Sequence, residues 1–315
     1  MESSTVKRIL SKLILDKLIS SRGNGRGRKY IISPEYNLFY SVDVKKYFEK
    51  EIDERQIKNS FDLLLISDIL KNVELFTEDE LKKLNDLQAN YLENISNLDK
   101  SEYYRELERL AIDLSWKSSQ IEGNTYSLLE TELLLRESKT AIGKAKDEAS
   151  MLLNHKEAID FITEYPDFIN PLKVSKIEDI HGILMKDLKV SLNIRKNKFG
   201  ISGTNYKPLD NQYQIKEALV QMCDLVNSRD IIFEKALLLL VLLSYIQAFS
   251  DGNKRTARII SNAILISNGY CPLSYRTIDS VEYKKAMLVF YEQNNLSPMK
   301  NIFINQFEFA VNTYF

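Results

Sequence analysis

Glycine and proline are scarce in this 315-residue chain: Gly 10 and Pro 6 together make up about 5% of it, against roughly 12% in average usage. So few turn-formers cannot easily supply the many reversals of a sandwich or barrel, and long helices are expected instead. Cysteine is limited to Cys223 and Cys271, far apart, which argues against a disulfide framework and against a thiolate metal cluster. Long apolar runs are missing too. The longest, Ala236 to Leu243, falls far short of the roughly 18 residues that span a bilayer, so no membrane partner is expected and the run reads as a helix buried on all sides. The N-terminal Met1-Glu-Ser-Ser-Thr-Val-Lys-Arg alternates charged and apolar residues without an apolar h-region, and the cytoplasm is the expected location. What remains is the composition of an ordinary globular protein, 44% hydrophobic and 28% charged, long enough for two domains or for one large domain with an N-terminal extension.

Charge is balanced overall but unevenly placed. Residues 1–34 hold Lys7, Arg8, Lys12, Lys17, Arg22, Arg26, Arg28 and Lys29 against Glu2 and Asp16, a net +6, and the rest of the chain is −7. A basic head on an acidic body suggests an anionic partner. Val6, Ile9, Leu10, Leu13, Leu18 and Ile19 recur at helical spacing, and Gly23-Asn-Gly followed by Tyr30-Ile-Ile reads as a basic hairpin. Helix plus Gly/Arg hairpin resembles the recognition helix and wing of a partial winged-helix unit that would contact DNA; a plain basic arm is the alternative.

Residues 35–100 read as a connecting N-terminal region, unassigned as far as 75. Thr77 with Glu80 forms a capping box that predicts a helix over 78–97. A second helix from about 101 carries Leu107, Leu110, Leu114 and Ile121 on one face and should end at Gly123. Further helices are predicted at 127–136, 144–163, 173–188, 213–227, 233–248, 254–268, 281–293 and 298–313. Phe199 to Leu209 reads as a short β-hairpin, the one β element expected after residue 75.

The chemistry concentrates where the apolar helix runs into Gln247-Ala-Phe-Ser-Asp-Gly-Asn-Lys-Arg-Thr-Ala-Arg258. Asp-Gly-Asn is a turn sequence, and a turn that opens a helix exposes backbone N–H groups suited to an anion. Lys254 and Arg255 stand in the first turn, where the helix dipole disfavours cations by about 0.3 to 1 kcal/mol each. A polyanion would reverse that penalty. Arg255 and Arg258 share a helix face and can clasp a polyphosphate, and Asp251 is a hard oxygen ligand suited to Mg²⁺ beside it.

This stretch resembles the signature loop of the Fic (Fido-domain) family, H-x-F-x-[D/E]-G-N-[G/K]-R-x-x-R. Ser118-Ser-Gln-Ile-Glu122-Gly123 resembles the family's inhibitory-helix motif, [S/T]-x-x-x-E-[G/N], and Ile201-Ser-Gly-Thr-Asn-Tyr-Lys-Pro stands where the family has its flap. The resemblance covers roughly 105–313 and implies a mainly α fold: a Fic-type helical bundle over 101–315, with an inhibitory helix at about 101–123 and a β-hairpin flap. It also implies AMP transfer from ATP to a hydroxyl of a target protein, with Mg²⁺ held by Asp251. Gly252, Asn253, Lys254 and Arg255 would form the phosphate cradle and Arg258 would take the terminal phosphate. Ile201, Gly203, Thr204 and Tyr206 would dock the target as an added strand. Glu122, steadied by Ser118, would pair with Arg258 and block ATP. A glutamate just before a helix-ending glycine is mildly unfavourable unless a cation meets it.

Two positions depart from the family pattern. The catalytic histidine aligns with Gln247, whose amide cannot take a proton at useful basicity, and Lys254 replaces the commoner Gly. His155 and His181 are the chain's only histidines, each read as a helix-packing residue. Two functions follow: an autoinhibited Fic adenylyltransferase slowed or altered by Gln247, or a catalytically inactive nucleotide-binding regulator with DNA as a candidate partner of residues 1–34. Self-association is left open.

Overall fold

A computed structural model describes residues 3–315. Helix α1 (Ser3–Leu15) leads into an antiparallel pair, β1 (Ile19–Arg22) and β2 (Lys29–Ile32), with Ile19 opposite Ile32 and Arg22 opposite Lys29. The basic hairpin read from the sequence therefore forms, its turn opened by Gly23 and Gly25 at positive φ. Short helices follow in the stretch the sequence left unassigned: α2 (Pro34–Phe39), α3 (Val44–Tyr47) and α4 (Leu63–Ser67).

The long helices come next. They are α5 (Glu78–Ser96), α6 (Lys100–Ile121), α7 (Leu128–Glu137), α8 (Lys146–Glu164), α9 (Val174–Leu184) and α10 (Gln212–Asn227), then α11 (Ile232–Ile246), α12 (Asn253–Ser267), α13 (Ser280–Gln293) and α14 (Ser297–Tyr314). The capping boxes at Thr77 and Ser127 close as predicted, and Gly123 ends α6 at φ +103°. Local capping chemistry set these boundaries, which is why they were readable.

Helix α11 is buried from Ala236 to Ile246 on every side, the environment its unbroken apolar run demands. It packs most extensively on α12, and α6, α8, α9, α10, α13 and α14 surround the pair. The mainly α, Fic-type bundle expected from the sequence is the fold observed. Among the described residues no helix is long and apolar enough to cross a membrane.

One expectation fails. Residues 199–209 do not form a β-hairpin; they make a turn at Ser202–Gly203 and a single parallel bridge, Lys207 to Ser60. Burial alternates along 203–208, as in a strand, with Tyr206 and Pro208 buried and Asn205 and Lys207 exposed, but no second strand of the segment pairs with it. The segment's backbone is instead paired with residues far away in the chain.

Candidate functional site

The loop between α11 and α12 is built by unusual backbone at both ends. Gln247 ends α11 in the left-handed region at φ 52°, and Gly252 opens α12 at φ 80°. The positive φ is what calls for glycine here; a Cβ on Gly252 would also lie 2.6 Å from Met185 Cε, so the end of that methionine would have to move. Asn253 staples the loop: its Oδ1 accepts from Phe249 N at 2.8 Å, and its Nδ2 donates to Phe249 O at 2.8 Å and to Gln247 Oε1 at 3.2 Å.

Arg195 holds the loop from outside. Its backbone N–H donates to Ala248 O at 3.0 Å and its Nε to Gln247 O at 2.6 Å. From beneath, His181 stacks on Phe249 with ring centroids 3.7 Å apart, and its Nε2–H donates to Asp251 O at 3.0 Å. Burial, helped by Arg255, pushes the His181 pKa down to about 4, so the ring is neutral at ordinary pH. His155 is buried and its pKa is also lowered well below the usual imidazole value, by desolvation and then by the charges of Arg258 and Arg255.

A cavity of about 380 Å³ opens at the N-terminus of α12. Gly252, Asn253, Lys254 and Arg255 form its floor, Phe199 to Ser202 one wall, and Met287, Leu288 and Tyr291 of α13 the other. The N–H groups of a helix's first turn have no acceptor within the helix and carry its positive dipole end. Arg255 is buried; its Nη2 donates to Asp251 Oδ2 at 3.0 Å, while its Nε and Nη1 have no partner. Unpaired buried guanidinium nitrogens beside a cavity fit an anion with several oxygens.

Asp251 is the one carboxylate of the loop, with a side chain 59% exposed. Its Oδ1 accepts from Gly252 N at 2.6 Å, and free lone pairs remain for a cation. No group of three or more His, Cys, Asp or Glu side chains converges for a metal among the described residues. Mg²⁺ is ordinarily held by one or two carboxylates plus phosphate and water, and Asp251 is the carboxylate here that could supply such a ligand.

Arg258 is fully buried, one turn behind Arg255. Its Nε donates to Ser118 Oγ at 2.8 Å, and its Nη2 to Ser118 O at 2.9 Å and to Glu122 Oε1 at 3.0 Å. Lys254 Nζ lies 3.2 Å from Glu122 Oε2, so one carboxylate bridges two cations of α12. Burial alone would raise the Glu122 pKa; Arg258, Lys254 and Arg255 outweigh it and hold it at about 2. Four segments, the outermost being Glu122 and Tyr291 of α13, thus converge on the cavity from distant parts of the chain.

Gln247 is 4% exposed. Its Nε2 donates to Ser244 O at 2.6 Å and to Tyr291 Oη at 3.4 Å, and its Oε1 accepts from Asn253. The amide is held on both sides and offers no basic lone pair. In the flap, Ile201 lines the cavity, Thr204 Oγ1 accepts from Tyr206 N at 3.1 Å, and Gly203 makes the turn at φ 86°. Tyr206, expected on a docking surface, is a core residue: it is 1% exposed, stacks on Tyr245 and donates to Tyr245 O at 3.1 Å.

Sequence reasoning missed Arg195, His181 and Tyr291. Each acts on the loop from 44 to 70 residues away, and none carries a local pattern that would single it out.

Residues 171–265, from the approach to α9 through the loop to α12, match the Fic/DOC family. Over 176 residues the chain is 29% identical to the protein adenylyltransferase Fic of Nematostella vectensis, an overlap of 53% of this chain and 40% of that protein. It is 27% identical over 182 residues to the protein adenylyltransferase fic-1 of Caenorhabditis elegans, covering 54% and 34%. The matched part spans well under half the length of these curated relatives. Among solved structures, a C. elegans Fic-1 fragment superposes with a TM-score of 0.65 at 21% identity, over 75% of this chain and 72% of that one. A Fic-domain signaling protein of Bacteroides thetaiotaomicron gives 0.61 at 19%, over 73% and 94%. These likenesses establish a shared fold.

Proposed function

We propose that this chain, which carries a Fic/DOC-family segment over residues 171–265, binds ATP in the cavity at the start of α12 and transfers AMP from it to a protein hydroxyl. We further propose that Glu122 holds the activity back and that Gln247 slows it. The observation that carries this reading is the pairing of a positive, partly unsatisfied cradle at Gly252–Arg255 with a carboxylate that occupies Arg258 and Lys254. An anion site already filled by an internal anion is what a self-inhibited polyphosphate site requires. The names of the relatives as adenylyltransferases support the group transferred.

In the reaction, the target hydroxyl oxygen would bond to the α-phosphorus while the bond from that phosphorus to the β-phosphate oxygen breaks and pyrophosphate leaves. Arg255 and the first-turn N–H groups would orient the phosphates, with Arg258 joining them once Glu122 withdraws. Asp251 would hold Mg²⁺, which supplies charge neutralisation to the phosphates when bound. The hydroxyl proton has no base waiting at Gln247, so it would pass to solvent or to a phosphate oxygen. A general base typically contributes about 10²- to 10⁴-fold, and phosphoryl-type transfer rests mostly on positioning and charge stabilisation. Slow transfer is therefore chemically open to this site.

A second reading is favoured by Gln247 itself, whose amide is saturated by Ser244, Tyr291 and Asn253. In it the protein is a non-catalytic nucleotide sensor, and its basic N-terminal unit binds DNA. Both readings fit a cytoplasmic protein with two buried free cysteines. Mass spectrometry of Glu122→Gly protein incubated with ATP and Mg²⁺ separates them: an added AMP supports transfer, and its absence in a sample with ATP bound supports the sensor.

A further inference from the structure

The segment Phe199–Leu209 is held by two buried arginines. Arg195 holds Leu209 at its C-terminal end and Asn197 just before its start, donating from Nη2 to Leu209 O and from Nη1 to Asn197 O at 2.9 Å. Arg55 reaches its turn, donating from Nη2 to Gly203 O at 2.6 Å. Arg195 belongs to the loop region already described; Arg55 comes from far outside it.

Arg55 is anchored on the helix that forms the cavity's far wall. Its Nη1 is 3.2 Å from Glu292 Oε1 on α13, with side chains 3% and 0% exposed. Tyr47 Oη donates to Glu292 Oε2 at 2.6 Å, and the Phe48 ring lies 4.9 Å from the guanidinium carbon. The residues around Arg55 touch the flap twice more. Asn205 Nδ2 donates to Asp53 Oδ1 at 2.9 Å, and Lys207 N donates to Asn59 O at 3.2 Å as part of the parallel bridge between Lys207 and Ser60.

From this geometry we infer that residues 53–60 are an internal strap that sets the position of the flap, with Arg55 as the positioning residue. The strap pairs with the 203–207 side, while Phe199 to Ser202 face the cavity. A protein target that reaches the cavity therefore meets the Phe199–Ser202 side of the flap, the 203–207 side being already taken. The docking half rests on the Fic-type reading above; the strap itself does not.

The test is amide hydrogen exchange on the full chain, with Arg55→Gln, the double variant Arg55→Gln/Glu292→Gln, and the surface variant Asp53→Ala/Asn205→Ala. A hydrogen bond from a charged donor supports about a 10- to 100-fold difference in local opening. Exchange across 200–207 should accelerate at least about tenfold in both Arg55 variants and by less in the surface one. Amides of α11 should be unchanged and ATP affinity should stay within about twofold.

The double variant separates positioning from mere structure. Removing the buried Glu292 charge should recover thermal stability lost in Arg55→Gln while the flap stays loose. Flap exchange that recovers along with stability, or that never changes, overturns the strap. In a Glu122→Gly/Gln247→His background, adding Arg55→Gln should lower AMP transfer at unchanged ATP affinity; equal transfer overturns the docking half. A background that transfers nothing sinks the Fic-type reading and the docking half with it, and the exchange data still decide the strap.

Discussion

Replacing Glu122 with Gly should move two quantities in opposite directions, because on the proposed reading the same contacts that stabilise the free protein would stand in the way of ATP. The carboxylate bridges Arg258 and Lys254, and its depression from 4.5 to about 2 corresponds to about 3 kcal/mol of preference for the charged, paired form. Losing one partner of a buried pair costs about 3–5 kcal/mol. Here Ser118 still engages Arg258 Nε and Nη2, so about 1–3 kcal/mol is expected. In a chain of this size that lowers Tm by roughly 2–4 °C per kcal/mol. If ATP must break the latch to reach Arg258, removing it returns the same energy to binding, about 10- to 100-fold in Kd. Calorimetry and thermal melts with and without ATP read both. A variant with lower Tm and unchanged ATP affinity would refute the reasoning, since the latch would then be purely structural. The pH dependence follows with a definite sign. A folded pKa below the unfolded one means this stability is fully present above about pH 4.5 and is lost as pH falls toward 2, so the Glu122→Gly melt should converge on the parent only in acid.

Three further outcomes are expected. Gln247→His combined with Glu122→Gly should raise AMP transfer by about 10²- to 10⁴-fold over Glu122→Gly alone, measured by mass spectrometry; no gain would favour the sensor. Gly252→Ala should cost about 1–3 kcal/mol in thermal melts, from a strained φ and a crowded Met185, and should abolish detectable ATP binding. Arg22→Glu/Arg26→Glu/Arg28→Glu on the hairpin should leave Tm within about 1 °C while removing salt-sensitive binding to a DNA duplex, whose parent slope should report several phosphates. Equal, salt-independent retention of the duplex by both proteins would end the DNA reading.

The helices were legible in the sequence because their signals are local. Thr77 with Glu80 and Ser127 with Glu130 are capping boxes three residues wide, and the apolar run ending at Ile246 announces its own burial. The loop from Asp251 to Arg258 was legible for the same reason: turn residues, first-turn cations and helical spacing lie within one short stretch. The flap was misread because Ile201, Thr204 and Tyr206 look like strand residues. The segment's backbone is paired instead through Gly203 O, which accepts from Arg55, and Lys207 N, which donates to Asn59 O, nearly 150 residues upstream, where no pattern in the flap could point. His181 was set aside as a packing residue, which it is, but what it packs is Phe249 and the carbonyl of Asp251. Residues that act through tertiary contact alone leave no periodic or motif signal behind.

Helix α6, which ends in the latch, is fastened along its length to the far end of the chain. Asp113 accepts from Tyr314 Oη at 2.6 Å and from Arg276 Nη1 at 3.2 Å, and Arg109 lies over the Tyr314 ring. Glu122 itself is the capping residue just after Ile121, followed by a glycine at φ 103°. Letting go of Arg258 thus requires torsions about a single side chain and the loss of two ion pairs rather than displacement of a helix. On the proposed reading nucleotide would meet a local gate at one residue, and no rearrangement of α6 should accompany its binding.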